Sequence, residues 1–199
     1  MKKITGIYLA AGKSTRMQES KLHLPAGKYS LGSIALKQAL LSNLDSTVIV
    51  TRPGADIEWI APELYHGNWK TIESEHAEKG QAYSLQSGIE KAEAGGADAV
   101  VVLLADQPFV TAERINQLIS TCGKHLQDYA ALDRLQPPLL LEKQLFPRLK
   151  QLEGDEGARY ILRCDTSLRG TFLSSANDSL FYDIDTKEDY QWLLQTVPS

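Results

Sequence analysis

Residues 4–17, ITGIYLAAGKSTRM, decide the fold. The first six of them, Ile4–Leu9, form a continuous rather than alternating apolar run. Such a run predicts a strand covered on both faces, as in a parallel sheet. Residues 47–51 and 99–104 have the same character. Helical patterns lie between these runs, and the alternation of strand and helix indicates an α/β fold with right-handed crossovers.

Apolar periodicity and turn residues predict the remaining elements. Apolar stripes over residues 31–41, 84–92 and 115–119 predict three helices, the third with Thr111 as its N-cap. The last third predicts strands at 139–141, 171–173 and 180–182 and helices at 146–152, 158–162 and 187–194. No internal repeat, low-complexity stretch or Pro/Gly/Ser-rich linker interrupts the sequence, which predicts one domain over residues 1–199.

Composition restricts the class of protein. A net charge of −4 argues against a dedicated nucleic-acid binder, because such proteins carry a basic stripe. Cys122 and Cys164 lie far apart and have no metal-ligand spacing, so we expect each to be a small buried apolar residue. No apolar run is long enough to span a bilayer, and no signal-peptide core follows the N-terminus. We therefore expect a soluble, cytoplasmic protein without a membrane partner.

The loop after the first strand predicts phosphate binding. Ligands of open α/β sheets bind outside the carboxyl ends of the strands, and Leu9 is the first such end. Ala10, Ala11 and Gly12 allow close backbone approach, and residues 13–16, KSTR, add two charges and two hydroxyls. Backbone amides and an Arg fork at such a turn bind phosphate oxygens, and Lys21 adds a further point charge. The alternative is a solvated loop with scattered charges.

A second alternative for this loop is a P-loop kinase. Gly12, Lys13 and Ser14 resemble the end of a Walker A motif, and residues 100–106 resemble a Walker B strand. The motif needs a glycine five residues before Gly12, where the chain has Ile7. Because the phosphate cradle depends on loop length, this register argues against the kinase.

Carboxylates near two strand ends are candidate Mg²⁺ ligands. Asp106 follows the run 99–104, and Mg²⁺ is commonly held by one or two carboxylates together with substrate phosphates. Asp106 is otherwise a turn residue or a helix cap, although Thr111 is better placed as the cap. Asp185 is a candidate second ligand. The residues leave open whether Asp183 or Asp185 instead caps the last helix.

Several segments resemble the MobA-like nucleotidyltransferases. They occur in the family's order over nearly the whole chain: residues 9–17 with 21–25 (LAAGKSTRM and KLHLP), 80–88 (GQAYSLQSG), 104–111 (LADQPFVT), 154–159 (GDEGAR) and 183–186 (DIDT). The LAAG, ADQP and GDxGAR patterns are most similar to molybdenum cofactor cytidylyltransferases and to accessory proteins of xanthine dehydrogenase maturation.

This resemblance implies a fold and a reaction. The fold is a Rossmann-like three-layer sandwich of the nucleotide-diphospho-sugar transferase type, with a mostly parallel sheet and helices on both faces. In the reaction, the terminal phosphate of molybdopterin attacks the α-phosphorus of CTP and pyrophosphate leaves. The implied partners are a nucleoside triphosphate, with CTP favoured, a molybdopterin-type acceptor and a molybdoenzyme apoprotein.

The resemblance also implies residue roles, with no covalent protein group required. Arg16 and Lys21 would bind the triphosphate and act with Asp106 in catalysis. Asp106 would hold Mg²⁺, and Asp185 would complete its site. The residues expected against the nucleotide are Leu9, Ala10, Ala11, Gly12, Ser14, Arg16, Lys21, Ser84 and Leu85, the last two near the base or ribose.

Two segments depart from the family pattern, residues 27–30 (GKYS) slightly and residues 130–141 more clearly. The cytidylyltransferases usually carry glycines before the segment that contains Phe146 and Pro147, whereas residues 130–141, AALDRLQPPLLL, have none. Those glycines would let a bulky pterin approach the backbone. A different acceptor, or a non-catalytic chaperone that binds nucleotide or cofactor and delivers it to an apoenzyme, therefore remains an alternative.

Overall fold

The computed structural model describes residues 2–12, 20–123, 127–175 and 178–196. The strands are β1 (Ile4–Leu9), β2 (Pro25–Ala26), β3 (Tyr29–Ser30), β4 (Ser46–Thr51), β5 (Trp69–Glu73), β6 (Ala99–Leu104), β7 (Tyr129–Leu132), β8 (Leu139–Glu142) and β9 (Gly170–Leu173). The helices are α1 (Leu31–Leu41), α2 (Gln81–Ala94), α3 (Ala112–Thr121), α4 (Phe146–Leu149), α5 (Ala158–Cys164) and α6 (Lys187–Thr196).

Seven strands form one sheet in the order β5-β4-β1-β6-β8-β7-β9. Strands β5, β4, β1 and β6 are parallel to one another. Strand β8 runs antiparallel to both of its neighbours, β6 and β7, and β9 is parallel to β7. The sheet is therefore mostly parallel, with β8 reversed. The short strands β2 and β3 pair separately as an antiparallel hairpin.

Apolar side chains cover both faces of the sheet. On one face, Tyr8 of β1 packs in a cluster with α1 and α3. On the other face, Ile7 packs in a cluster with α2, α4 and α5. All six residues of β1 are buried, as the continuous apolar run predicted. These layers confirm the predicted three-layer α/β sandwich.

Local chemistry sets where the helices begin. At α1, the Ser30 hydroxyl accepts a hydrogen bond from the Ser33 amide at 3.2 Å. At α3, Thr111 accepts from the Arg114 amide, as predicted for this cap. Helix α2 begins at Gln81, and the amide of Ala82 donates to the Gly154 carbonyl at 3.0 Å. No helix among the described residues is long and apolar enough to cross a membrane.

Three sequence-based expectations need correction. The strand predicted at 180–182 is a 3-10 turn over Asp178–Phe181. Consecutive Leu180 and Phe181 are buried in the same apolar cluster, whereas successive side chains of an extended strand point to opposite faces. The helix predicted at 146–152 ends at Leu149. Cys164 was expected to be buried, but it lies exposed at the end of α5, whereas Cys122 is half-buried.

Candidate functional site

A cavity opens at the carboxyl ends of β1 and β6, beside the first turn of α2. Its volume is about 320 Å³. Five residues that the sequence assigned to the nucleotide site line it: Leu9, Ala11, Gly12, Ser84 and Asp106. The structure therefore brings these residues together at the edge of the sheet where α/β proteins bind their ligands.

Other predicted residues lie elsewhere. Leu85, the next residue along α2 after Ser84, lines a neighbouring cavity. The amide of Ala10 donates to the Val50 carbonyl at 2.9 Å, which ties the loop after β1 to β4. Ser14 and Arg16 lie outside the described residues. Their predicted contacts with the triphosphate remain predictions.

Lys21 joins two carboxylates from distant parts of the chain. Its Nζ lies 2.6 Å from Oδ2 of Asp106 and 2.8 Å from Oδ1 of Asp185. The Ile184 carbonyl accepts a third hydrogen bond from Nζ at 3.1 Å. The predicted triphosphate ligand and the two predicted metal ligands thus form one cluster.

The charges in this cluster stabilise one another. Burial lowers the pKa of Lys21, but the attraction of the Asp106 and Asp185 carboxylates outweighs that effect and leaves the pKa raised. Lys21 therefore stays cationic at neutral pH. The side chain of Lys21 is 8% exposed, against 23% for Asp106 and 48% for Asp185, so the carboxylates have a solvent-facing side that the ammonium lacks.

Neither aspartate of the DIDT segment caps α6. The Asp189 amide donates to Oγ1 of Thr186 at 3.1 Å, and Oδ2 of Asp189 accepts from the amides of Thr186 and Asp185 at 2.8 and 3.0 Å. This reciprocal pair is a capping box. The side chains of Asp183 and Asp185 are thus left to face the site, which resolves the alternative that the sequence left open.

Asp183 and Gln107 form a second polar pair that the sequence did not assign. Nε2 of the buried Gln107 donates to Oδ1 of Asp183 at 2.8 Å. Asp183 is exposed as a residue, yet partial burial of its carboxyl, reinforced by the negative charge of Asp106, raises its pKa to about 6. A sequence signal was present: in an extended segment the alternation Asp183-Ile184-Asp185 places both carboxylates on the side opposite the apolar residue, and Ile184 is fully buried in the structure.

A second cavity of about 180 Å³ adjoins the first. The two share Leu9, Gln81, Leu104 and Asp155. The further wall of the second cavity consists of Leu85, Val102, Gln107, Gln136, Pro137, Leu139, Gly157, Ala158, Arg159 and Asp183. It combines an apolar floor with amide, carboxylate and guanidinium groups.

Two glycines bring the wall of the first cavity together. Gly80 precedes α2 with φ 136° and ψ 170°, a conformation that side-chain-bearing residues rarely adopt. A Cβ at Gly80 would overlap the carbonyl of Gly154, the same carbonyl that accepts from the Ala82 amide. The GQAYSL and GDEGAR segments therefore touch backbone to backbone, and Asp155 joins Gly80 in the cavity wall.

Arg52 is another residue that the sequence did not assign. It follows β4, and its Nε donates to the Ala11 carbonyl at 2.8 Å. Since Ala11 lines the first cavity, Arg52 helps to fix the backbone of the predicted nucleotide loop. An arginine directly after a buried strand, at the same sheet edge as Leu9, was the available signal.

A larger cavity, of about 540 Å³, lies between β5 and α2. Glu73, Glu75 and Glu90 are among its lining residues, and it contains none of the described residues predicted for the site. The candidate functional cavity is therefore marked not by its size but by the convergence of Lys21 and Asp106 with the loop after β1.

The donor set fits a divalent ion held by two carboxylates. No group of three or more His, Cys, Asp or Glu side chains suited to a metal occurs in the described part of the chain. Asp106 and Asp185 nevertheless converge on a single cation, the Lys21 ammonium. Mg²⁺ usually takes one or two carboxylates, with waters and substrate phosphates completing its shell.

Comparison with known proteins identifies the family. Residues 6–171 match the MobA-like NTP transferase domain. The chain is 39% identical over 200 residues to the purine catabolism protein PucB of Bacillus subtilis, a similarity that covers 98% of this chain and 97% of the relative. The chain belongs to the MobA-like NTP transferase family. Membership supports nucleotidyl transfer and implies binding of a nucleoside triphosphate, and it leaves no support for the P-loop kinase.

Solved structures share the fold of this MobA-like chain. A homologue of Rv0371c from Mycobacterium sp. strain JC1 has a TM-score of 0.80 at 25% identity, covering 97% of this chain and 96% of the other. Rv0371c of Mycobacterium tuberculosis, solved in complex with manganese, has a TM-score of 0.72 at 21% identity, covering 98% and 100% of the two chains. The second likeness shows the fold only.

Proposed function

We propose that the chain is a Mg²⁺-dependent cytidylyltransferase that transfers CMP from CTP to the terminal phosphate of molybdopterin. An oxygen of the acceptor phosphate forms a bond to the α-phosphorus of CTP, and the bond from that phosphorus to the bridging oxygen breaks. The two electrons of the broken bond leave with pyrophosphate. The observation that carries the proposal is the convergence of Lys21, Asp106 and Asp185 beside a cavity lined by the LAAG loop.

The first cavity suits the nucleotide. The backbone of Ala11 and Gly12 lies in its wall, and no described atom lies within 4 Å of a Cβ built on Gly12, so a phosphate can approach closely. Ser84, in the first turn of α2, lies on the other side of the cavity, where the base or ribose would bind. Arg16 would add its guanidinium to the triphosphate, as the family resemblance implies.

Asp106 and Asp185 would hold the metal ion. When bound, Mg²⁺ neutralises charge on the phosphates and on the leaving pyrophosphate. Rv0371c, which shares this fold, was solved in complex with manganese, and this supports a divalent ion at the proposed site. Lys21 contributes positive charge next to the same carboxylates, so it would bind phosphate oxygens of the incoming triphosphate. Such fixed charges are the main means of accelerating nucleotidyl transfer, since the protein forms no covalent bond.

The second cavity is the proposed acceptor site. It lies beside the first one, and Asp106 lines the first while its sequence neighbour Gln107 lines the second. Its floor of Leu85, Val102 and Leu139 suits the face of a flat ring, and Asp183 offers a carboxylate to ring N–H donors. Gln136 and Pro137 belong to the segment that lacks the family's glycines, so this chain would hold the pterin with side chains there.

A purine-related molybdoenzyme is the proposed recipient of the product. The relative in Bacillus subtilis is named a purine catabolism protein, and xanthine is a purine. This agrees with the resemblance of the LAAG, ADQP and GDxGAR segments to accessory proteins of xanthine dehydrogenase maturation.

Pyrophosphate release tests the proposal. The full chain is incubated with molybdopterin, Mg²⁺ and each of the four nucleoside triphosphates in turn, and pyrophosphate is measured enzymatically. We expect release with CTP, and a loss on the order of 100-fold or more in Asp106→Asn, because a charged group at the reacting phosphates is removed. Asp98→Asn is the matched control, since Asp98 precedes the opposite end of β6.

Other outcomes would redirect the proposal. Equal release with all four triphosphates would remove the case for CTP. Nucleotide binding without pyrophosphate release, with molybdopterin present, would favour the non-catalytic chaperone. Full turnover in Asp106→Asn would refute the metal assignment.

A further inference from the structure

We propose that Lys21 is the resident cation of the Asp106–Asp185 pair, so that the empty site excludes free divalent ions and accepts one only together with a triphosphate. The inference rests on the proposed metal role of the two carboxylates. It adds an order of events: the metal enters as its complex with the nucleotide, and Lys21 moves from the carboxylates to the phosphates.

The geometry of Lys21 is that of a bound cation. Three oxygens, from Asp106, Asp185 and the Ile184 carbonyl, lie 2.6, 2.8 and 3.1 Å from Nζ. An ammonium has three N–H donors, and these three oxygens of described residues are each placed to accept from it. The three oxygens come from two segments of the chain that are about 80 residues apart, so the contact exists only in the folded protein.

Electrostatics gives Lys21 an advantage over a free metal ion. A divalent ion that binds both carboxylates must approach an ammonium already in contact with them, and two cations at such a distance repel strongly in a partly buried site. Burial of Lys21 strengthens this effect, because its side chain is only 8% exposed and cannot be screened by solvent where it stands. The metal must also displace the ammonium from the carboxylate oxygens that it needs as ligands.

A triphosphate removes this obstacle. Its negative charge offers the ammonium new partners, and the four-carbon stem of lysine allows Nζ to move by rotamer changes. Lys21 begins a short 3-10 turn, and its partner Asp106 lines the first cavity. The Lys21 side chain therefore lies near both the carboxylates and the phosphates of a triphosphate bound in that cavity. The metal and the nucleotide therefore bind with positive coupling through Lys21.

The pairing of Lys21 with the two carboxylates would serve the proposed reaction. If the carboxylates held free Mg²⁺ tightly, the metal-loaded site could bind the uncomplexed triphosphate. That triphosphate would then compete with the metal–nucleotide complex for the same site. With Lys21 as the placeholder, the carboxylates stay oriented in the empty enzyme without a metal, and the site is preorganised for the metal–nucleotide complex.

Binding of free Mn²⁺ tests this inference without measuring activity. Mn²⁺ is titrated into the full chain in the absence of nucleotide, and unbound Mn²⁺ is followed by electron paramagnetic resonance. We expect Lys21→Met and Lys21→Gln to bind Mn²⁺ about tenfold or more tightly than the unsubstituted chain, which is within the usual range for coupled sites. Lys21→Gln keeps an amide that can donate to the carboxylates, so it guards against a folding failure of Lys21→Met.

Two controls locate the effect. Lys28→Met removes an exposed lysine that pairs with Glu63 at 3.1 Å on the surface, and it should leave Mn²⁺ affinity unchanged. Adding Asp106→Asn to Lys21→Gln should abolish the gain in affinity. A gain that survives Asp106→Asn would overturn the inference, because the ion would then bind elsewhere.

The failure of this inference and that of the proposed function can be told apart. Binding of the Mn²⁺–CTP complex is measured in Asp106→Asn. If that binding weakens but the Lys21 variants bind free Mn²⁺ no more tightly than the unsubstituted chain, only the lysine inference is wrong. If Asp106→Asn binds the complex as well as the unsubstituted chain does, the proposed metal site itself is wrong.

Discussion

Replacing Gly80 by alanine should destabilise the chain and disturb the wall of the first cavity. Gly80 has φ 136°, and an added Cβ would overlap the Gly154 carbonyl. A side-chain-bearing residue in this conformation costs about 1–3 kcal/mol. Moving the carbonyl breaks its 3.0 Å hydrogen bond from the Ala82 amide, which adds about 1 kcal/mol. The sum is about 2–4 kcal/mol.

Thermal unfolding measures this cost. For a chain of 199 residues, 1 kcal/mol corresponds to roughly 2–4 °C, so Gly80→Ala should lower the Tm by roughly 4–16 °C. Gly54→Ala is the matched control, because Gly54 also has a positive φ, 67°, but no described atom lies within 4 Å of an added Cβ. Its cost is that of the backbone conformation, about 1–2 kcal/mol.

The two glycine variants together isolate the effect of the overlap with Gly154. The overlap with Gly154 predicts a larger loss for Gly80→Ala than for Gly54→Ala, measured in the same buffer without nucleotide. If Gly80→Ala and Gly54→Ala lower the Tm by the same amount, the backbone contact between the GQAYSL and GDEGAR segments does not stabilise the chain. The Gly80–Gly154 contact would then not be what holds the wall of the first cavity together.

Three further predictions concern α6, the thiols and α2. Asp189→Ala removes the partner of two backbone amides and should cost about 1–2 kcal/mol in chemical unfolding, with Thr186→Ala costing less. Burial raises the pKa of Cys122 to about 12, so its thiol stays neutral up to about pH 10 and should react slowly with a disulfide reagent. Exposed Cys164 should react fast, and Cys164→Ser should remove the fast phase of the reaction. Gly88→Ala should lower the Tm despite its better helix propensity, because the added Cβ meets a β1 side chain at 2.5 Å.

The inner strands were predictable because burial on both faces leaves a continuous apolar run. Strands β1, β4 and β6 fall within one residue of their predicted bounds. Strand β5 was missed because it is the sheet edge: Trp69 and Ile72 are half-buried and the other three residues are exposed, so no apolar run marks it. Strand β7 was missed because its two alanines have low strand propensity, although all four of its residues are buried.

The position of the candidate site could be predicted from the strand ends, whereas its long-range contacts could not. Leu9 and Asp106 follow from the rule that ligands bind at the carboxyl edge of the sheet. The salt bridge between Lys21 and Asp185 joins residues 164 positions apart, and no local pattern encodes it. The same holds for Gln107 and Asp183, whose pairing depends on how the segment before α6 returns to the end of β6.

The reversed direction of β8 explains why the segment that lacks the family's glycines, residues 130–141, faces the candidate site. Strand β7 runs parallel to β9 and antiparallel to β8, so residues 133–138 connect β7 to β8 at the carboxyl edge of β1 and β6. If β8 were parallel to β6, Leu139 would begin at the opposite edge, away from both cavities. Instead Gln136, Pro137 and Leu139 line the second cavity, while the first cavity contains no residue of this segment. If the two cavities hold nucleotide and acceptor as proposed, substitutions between β7 and β8 would change the acceptor site without altering the nucleotide cavity, and this would account for a chain that keeps the LAAG loop and lacks the glycines.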